Sequence, residues 1–405
     1  MRVLLIAAGG RGKVEPFLAL GCGLRAAGFE SMLAAPGRFE ALATRCRVGF
    51  TGLDGSLFAL QERLDDAGVA VQRAPYLTEA DLQRWLDSLA RLTQLGPDVV
   101  VFNAKALGAA SIAEKLGVPA VPAQLVPVAP ATREFAAPGA PLWTPSVLRR
   151  WTWRMSGVDP RAWRSRIARW RSERLGLPAE GPGFVDLVDR QGVLSGWSRH
   201  VLPAPADWPD TAKPLGFWTG PDALGGLPVG VEQFLAGVDP PVLVVLDDLL
   251  GPDAKRLAQA VAEGLGSLSR RGLLVARGSG LDEGLLLDDL FLVDHLPFSA
   301  IMPRVAAVAH SGGVHTMAAA LAAGLPQVTY PFYEDQLFWA DRLYRIGAAP
   351  EPLDRLSSRS LAYALEDAVD LQPTVERLRQ ALAEEDGVAA AVDRLEQVVG
   401  AAGRG

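Results

Sequence analysis

Residues 295–336 read HLPFSAIMPRVAAVAHSGGVHTMAAALAAGLPQVTYPFYEDQ. The apolar run 305–309 has the length and composition of a short strand buried on both faces of a parallel sheet. It ends at His310, turns through Ser311-Gly312-Gly313, and enters an Ala-rich segment, 314–323, that reads as a helix. A Gly-rich turn between strand and helix leaves the first N–H groups of the helix without intrahelical acceptors, at the positive end of the helix dipole. That is a ready site for a phosphate or another anion. Gly324-Leu325-Pro326 stops the helix, because Gly caps it and Pro cannot continue it. A second apolar strand, 327–330, then delivers Asp335-Gln336 beyond its C-terminal end. Two successive strand ends thus place an anion nest and an acid–amide pair at one sheet edge, where open α/β sheets bind ligands.

The chain begins in the same manner. Residues 2–8 form a continuous apolar strand, Gly9 to Pro16 reads as a Gly-rich turn, a helix is expected from about Phe17 to Ala27, and 31–35 is a second strand. The turn lacks the Gly-x-Gly-x-x-Gly spacing of a dinucleotide fingerprint, so no nicotinamide site is expected. Strand and helix patterns keep alternating: strands at 99–102 and 118–121, the latter bounded by Pro119 and Pro122, then 242–246, 273–276 and 290–293. A helix between 255 and 265 and another from Phe338 to Ile346 fit the same rhythm. The expected fold class is α/β, with two Rossmann-like domains. A Pro-rich linker, 202–214, puts their boundary near 212. The expected division is 1–212, 213–385 and a terminal helix in 386–405.

Composition narrows the function. A hydrophobic fraction of 49% and a charged fraction of 21% suit a packed globular enzyme, and a net charge of −6 gives no electrostatic footprint for nucleic acid. Two cysteines, Cys22 and Cys46, exclude a disulfide framework or a Cys-based metal site and suit a reducing, cytoplasmic location. No run approaches the roughly 20 apolar residues of a membrane span. The stretch 143–175 is dense in Trp and Arg. It reads as surface helix with solvated arginines, or as a contact for an apolar acceptor, an anionic surface or a partner helix.

The order His-x-Gly-Gly-x-x-Thr, helix, Gly-x-Pro, strand, Pro-x-x-x-Asp-Gln resembles the nucleotide-sugar site of GT-B family 1 glycosyltransferases, most closely the bacterial antibiotic and sterol enzymes. The resemblance implies two domains facing across a cleft and a C-terminal helix packing back on the first. It implies that His310, Gly312, Gly313, His315 and Thr316 surround the donor diphosphate and that Asp335 and Gln336 hold the sugar. No cofactor or metal is implied beyond the nucleotide diphosphate sugar as co-substrate. The partner is a small apolar acceptor, and a homodimer stays open. Taken alone, His310 at a strand–helix turn is as readily a capping residue.

Three positions depart from the family pattern. Lys13 stands where the resemblance puts the Asp or His base, and an unperturbed lysine, with a pKa near 10.4, is an ammonium with no lone pair to accept a proton. Asp247-Asp248 replaces a small Gly-Ser turn on the phosphate side, where two carboxylates repel a diphosphate. A helix N-cap is the plainer reading of that pair. His315 stands where the family has Gly or Ser. The first reading is therefore a natural-product glycosyltransferase. The second is the same fold recruited to cyclisation, rearrangement or elimination, with Lys13 and Asp247 or Asp248 as the acid–base set. The third is a silent partner of an active glycosyltransferase.

Overall fold

The computed structural model describes residues 1–56, 78–154, 163–220, 226–237, 239–246, 252–276, 281, 283–287, 289–332 and 334–402. Asp247 and Asp248 lie outside these described residues. Two compact units result: one takes the described residues up to 220 together with 385–402, the other those from 226 to 384.

The first unit is built on β1 (Arg2–Ile6), β2 (Glu30–Pro36), β3 (Gly49–Leu53), β4 (Val99–Asn103), β5 (Ala120–Gln124) and β6 (Leu194–Ser195), in the order β3-β2-β1-β4-β5-β6. All pairings are parallel. Central β1 buries Val3 to Ile6, and β4 is buried throughout, as two-sided cover of a parallel sheet requires. Pro122 does not end β5; it pairs with Phe102 inside the strand. The lost N–H is tolerated because β6 pairs only with Ala123 and Gln124, so no β6 residue stands opposite Pro122.

Helix α1 (Arg11–Ala26) starts six residues earlier than the Gly and Pro content of residues 9–16 suggests. Burial of Val14, Pro16 and Phe17 outweighs the poor local propensity. Lys13 therefore sits in the first turn of a helix and not in a loop. The Trp/Arg stretch is not one continuous helix: it holds Ser146–Thr152 and Arg164–Trp170, with a π-turn over Arg171–Leu175. Arg171 is buried, contrary to the expectation of solvated arginines. Its guanidinium donates to Ser111 Oγ at 2.6 Å and to the carbonyls of Pro178 and Glu180, and pairs with Glu114 at 2.9 Å. Each guanidinium nitrogen has an acceptor, which is what makes a buried guanidinium tolerable.

The second unit is built on β7 (Val242–Val245), β8 (Gly272–Val275), β9 (Gly284–Leu287), β10 (Leu290–Val293), β11 (Ala307–His310) and β12 (Gln327–Thr329), in the order β12-β11-β7-β8-β10-β9. Only β9 runs antiparallel, against β10. One sheet face joins Leu243, Val245, Leu273, Val275 and Val308 with Ala320. The other joins Val244, Leu274, Leu292, Ala309 and Val328 with Val261 of α2 (Pro252–Ser267). Two further helices matter below, α3 (Val314–Ala323) and α4 (Glu334–Arg345).

The last helix, α5 (Gly387–Ala402), belongs to the first unit and packs on α1. Gly23 of α1 makes this approach possible, because a Cβ there would run into the Val388 side chain. Among the described residues no helix is long and apolar enough to cross a membrane. The substitution Gly23→Val should therefore overpack the α1–α5 contact and cost roughly 1–3 kcal/mol, read as a lower midpoint in urea unfolding. An unchanged midpoint would show that α5 does not depend on that approach.

Candidate functional site

Strand β11 lies between β7 and β12, so its C-terminal end is flanked by paired strands on both sides. It ends at His310, whose side chain is 1% exposed. The backbone N–H of Gly312 donates to His310 Nδ1 at 3.0 Å, and His310 Nε2 lies 3.0 Å from Gln327 Oε1. A backbone N–H can only donate, so Nδ1 must carry the lone pair and Nε2 the proton. Both ring nitrogens are thereby used inside the protein. His310 shapes the loop rather than reaching out of it. Burial pushes its pKa down to about 4, opposed by the Gln327 hydrogen bond, so the ring is neutral at pH 7.

The loop Ser311-Gly312-Gly313 follows, and Gly313 begins α3 with no side-chain cap. Among the described residues the N–H groups of Gly313, Val314 and Thr316 have no hydrogen-bond acceptor. The helix end is thus an open array of donors at the positive pole of a ten-residue helix. Gly312 adopts φ +89°, and a Cβ there would fall 2.7 Å from the carbonyl oxygen of Gln336. Glycine is required twice, by the left-handed backbone and by that close approach.

The same contact brings the acid–amide pair to the nest. Helix α4 begins at Glu334, four residues ahead of the Phe338 start expected from the apolar pattern, so Asp335 and Gln336 stand in its first turn. Gln336 is buried, and its Oε1 accepts the Phe332 N–H at 2.9 Å, which fixes the turn leaving β12. Asp335 is half-buried. The His315 ring packs against Phe298 at 5.3 Å with a 57° tilt, and Thr316 is buried. His310, Gly312, Gly313, His315, Thr316, Asp335 and Gln336 are therefore gathered around one end of one sheet.

In the first unit the matching strand end is also organised. Asn103 donates from Nδ2 to the Ala8 carbonyl at 2.9 Å and accepts the Ala8 N–H at 3.3 Å, tying β1 to β4. Gly9, with φ +120°, leaves room for two lysines: a Cβ there would lie 3.3 Å from Lys13 Cβ and 3.8 Å from Lys105 Cδ. Glu15, two residues beyond Lys13, pairs with Arg11 at 2.5 Å. Gln327, Asn103 and Lys105 were not singled out from the sequence. A glutamine opening an apolar strand was the available signal for Gln327. Among the described residues no group of three or more His, Cys, Asp or Glu side chains is placed to hold a metal ion.

Residues 274–394 match the family model described as the C-terminal domain of erythromycin biosynthesis protein CIII-like proteins. The chain is 34% identical over 415 residues to O-mycaminosyltylonolide 6-deoxyallosyltransferase of Streptomyces fradiae, covering 96% of this chain and 95% of that one. It belongs to the antibiotic and sterol glycosyltransferases. A sterol 3-beta-glucosyltransferase of Arabidopsis thaliana is 31% identical over 422 residues, 97% of this glycosyltransferase and 67% of the plant protein. The crystal structure of the kitacinnamycin glycotransferase superposes with a TM-score of 0.69 at 22% identity over 98% of each chain, which identifies the fold as GT-B.

For this glycosyltransferase the buried, neutral His310 has a consequence for stability. Its folded pKa, about 4, lies below the ordinary 6.5, so between those values the unfolded chain binds more protons. Stability attached to His310 is complete above pH 6.5, falls as pH drops toward 4, and levels off below; the loss is up to about 3 kcal/mol. Urea unfolding should show wild type losing more stability than His310→Asn across that window. Parallel curves for the two proteins would contradict the buried neutral imidazole.

Proposed function

We propose that this glycosyltransferase moves the sugar of a nucleotide diphosphate sugar to a hydroxyl of an apolar, polyketide-type natural product, with inversion at the anomeric carbon. The observation that carries the reading is the open donor array at the start of α3, with Gly312 locked against Gln336. Amides of Gly313, Val314 and Thr316 suit the phosphate oxygens of the diphosphate, and fixed dipoles aimed at them favour the charge that grows as the glycosidic bond breaks. Asp335 and Gln336, at the same strand end, supply a carboxylate and a carboxamide for the sugar hydroxyls. His315 flanks the first turn and adds an imidazole beside the phosphate. A sterol is the acceptor named for the plant relative, which fits a large apolar acceptor here.

Lys13 stands at the base position that the resemblance indicates. In the first turn of α1, with the Lys105 side chain also beside Gly9, it places a basic side chain where the resemblance puts the acceptor hydroxyl. The recruited-chemistry reading, with Lys13 and Asp247 or Asp248 as an acid–base set, rests on the sequence only. Similarity to named glycosyltransferases over 96% and 97% of this chain favours sugar transfer.

Calorimetric titration with UDP and with dTDP, each with and without Mg²⁺, tests the donor site. One nucleotide should bind in the micromolar range. Gly312→Ala, which forces a Cβ onto the Gln336 carbonyl and strains a positive φ, should weaken that binding by about tenfold or more. Absence of binding for both nucleotides, under either condition, would remove the donor reading.

A further inference from the structure

We infer that Gln327 is a positioning residue for the anion nest: it holds His310 in the Nε2-protonated tautomer, and that tautomer anchors the Gly312 amide from which the loop enters α3. Its functional meaning rests on the donor reading above, and its structural content on the hydrogen bonds around His310.

Gln327 is the first residue of β12 and is fully buried. In the parallel ladder Val308 faces Gln327 and His310 faces Thr329, so the Gln327 side chain reaches along the sheet to the imidazole at the end of the neighbouring strand. The Gly312 N–H claims Nδ1 at 3.0 Å, which leaves Nε2–H as a buried donor that must find an acceptor. Gln327 Oε1, at 3.0 Å, is that acceptor. The carboxamide orientation follows from the tautomer: turned the other way, its NH₂ would confront Nε2–H donor to donor.

The amide is not there for its own satisfaction. With Oε1 committed to His310, Gln327 Nε2 is buried without a hydrogen-bond partner among the described residues. An aliphatic side chain of similar size would avoid that cost in an interior strand. What the aliphatic chain lacks is the acceptor. Without it Nε2–H is stranded as a buried donor, so the tautomer that accepts the Gly312 N–H loses its support, and forms that give up the Gly312 bond and release the loop from its present course gain population. The loop runs close to its neighbour at this point, since even a Cβ on Gly312 would fall 2.7 Å from the Gln336 carbonyl oxygen. The Gly312 N–H is spent on the ring, so the anion is left to Gly313, Val314 and Thr316, whose direction depends on where Gly312 is held.

The test uses the full chain labelled with ¹⁵N-histidine, which has four histidines, with His310 assigned by its loss in His310→Asn. At pH 8, long-range ¹⁵N–¹H correlation should place the His310 proton on Nε2 in wild type. Gln327→Leu should lose that signature and bind the nucleotide that wild type accepts, dTDP or UDP, about tenfold more weakly. Gln327→Met, whose thioether sulfur is an uncharged, weak acceptor of similar reach, should fall between wild type and Gln327→Leu in both readouts. An Nδ1-protonated ring in wild type would overturn the inference whether or not the variants fold. So would a folded Gln327→Leu that keeps the tautomer or the affinity. If wild type binds neither nucleotide the donor reading fails, whereas the tautomer comparison still decides the role of Gln327.

Discussion

A chain of two hydrogen bonds, from the Gly312 N–H to His310 Nδ1 and from His310 Nε2–H to Gln327 Oε1, sets the geometry of the strand–helix corner at the end of β11. It ties the end of β11 to the start of β12 and fixes the first residue after the strand–helix corner. Everything that follows inherits that position: the left-handed turn at Gly312, its contact with the Gln336 carbonyl, and the uncapped first turn of α3. Burial makes the chain consequential. In water such bonds contribute little net, but inside the sheet a missing partner leaves a stranded polar group.

This arrangement separates two jobs that the family pattern assigns together. The imidazole and the Gly312 amide are turned inward, where they build the corner. The amides of Gly313, Val314 and Thr316 stay without an acceptor among the described residues. A neutral ring suits the inward job: an imidazolium would add a proton on Nδ1 and break the bond to Gly312. The pKa lowered to about 4 follows from the burial that this inward position imposes.

Much of this was legible in the sequence because period and punctuation agreed. The limits of α3 at 314 and 323 followed from Gly313 before it and Gly324-Leu325-Pro326 after it, and β10 spans 290–293 as its apolar run indicates. Errors fell where burial outweighs local propensity. Gly12 and Pro16 argued against a helix that nonetheless begins at Arg11, and Pro122 argued for a strand end that β6 does not require. The antiparallel β9 was missed, since four residues of Gly-Leu-Leu-Leu carry no alternation. Arg171 read as one more surface arginine, because its acceptors on Ser111 and Glu114 lie some sixty residues away in sequence. Gln327 escaped for the same reason: its partner is close in the sheet and invisible to a reading along the chain.

The central claim is that the first turn of α3 receives the donor diphosphate. Hydrogen–deuterium exchange with and without saturating dTDP or UDP probes it at the amides concerned. Slowed exchange is predicted within residues 313–316 and around 334–336, with residues 9–14 of the first unit unchanged. Protection confined to residues 9–14, or none at 313–316 while the nucleotide is bound, would contradict the account.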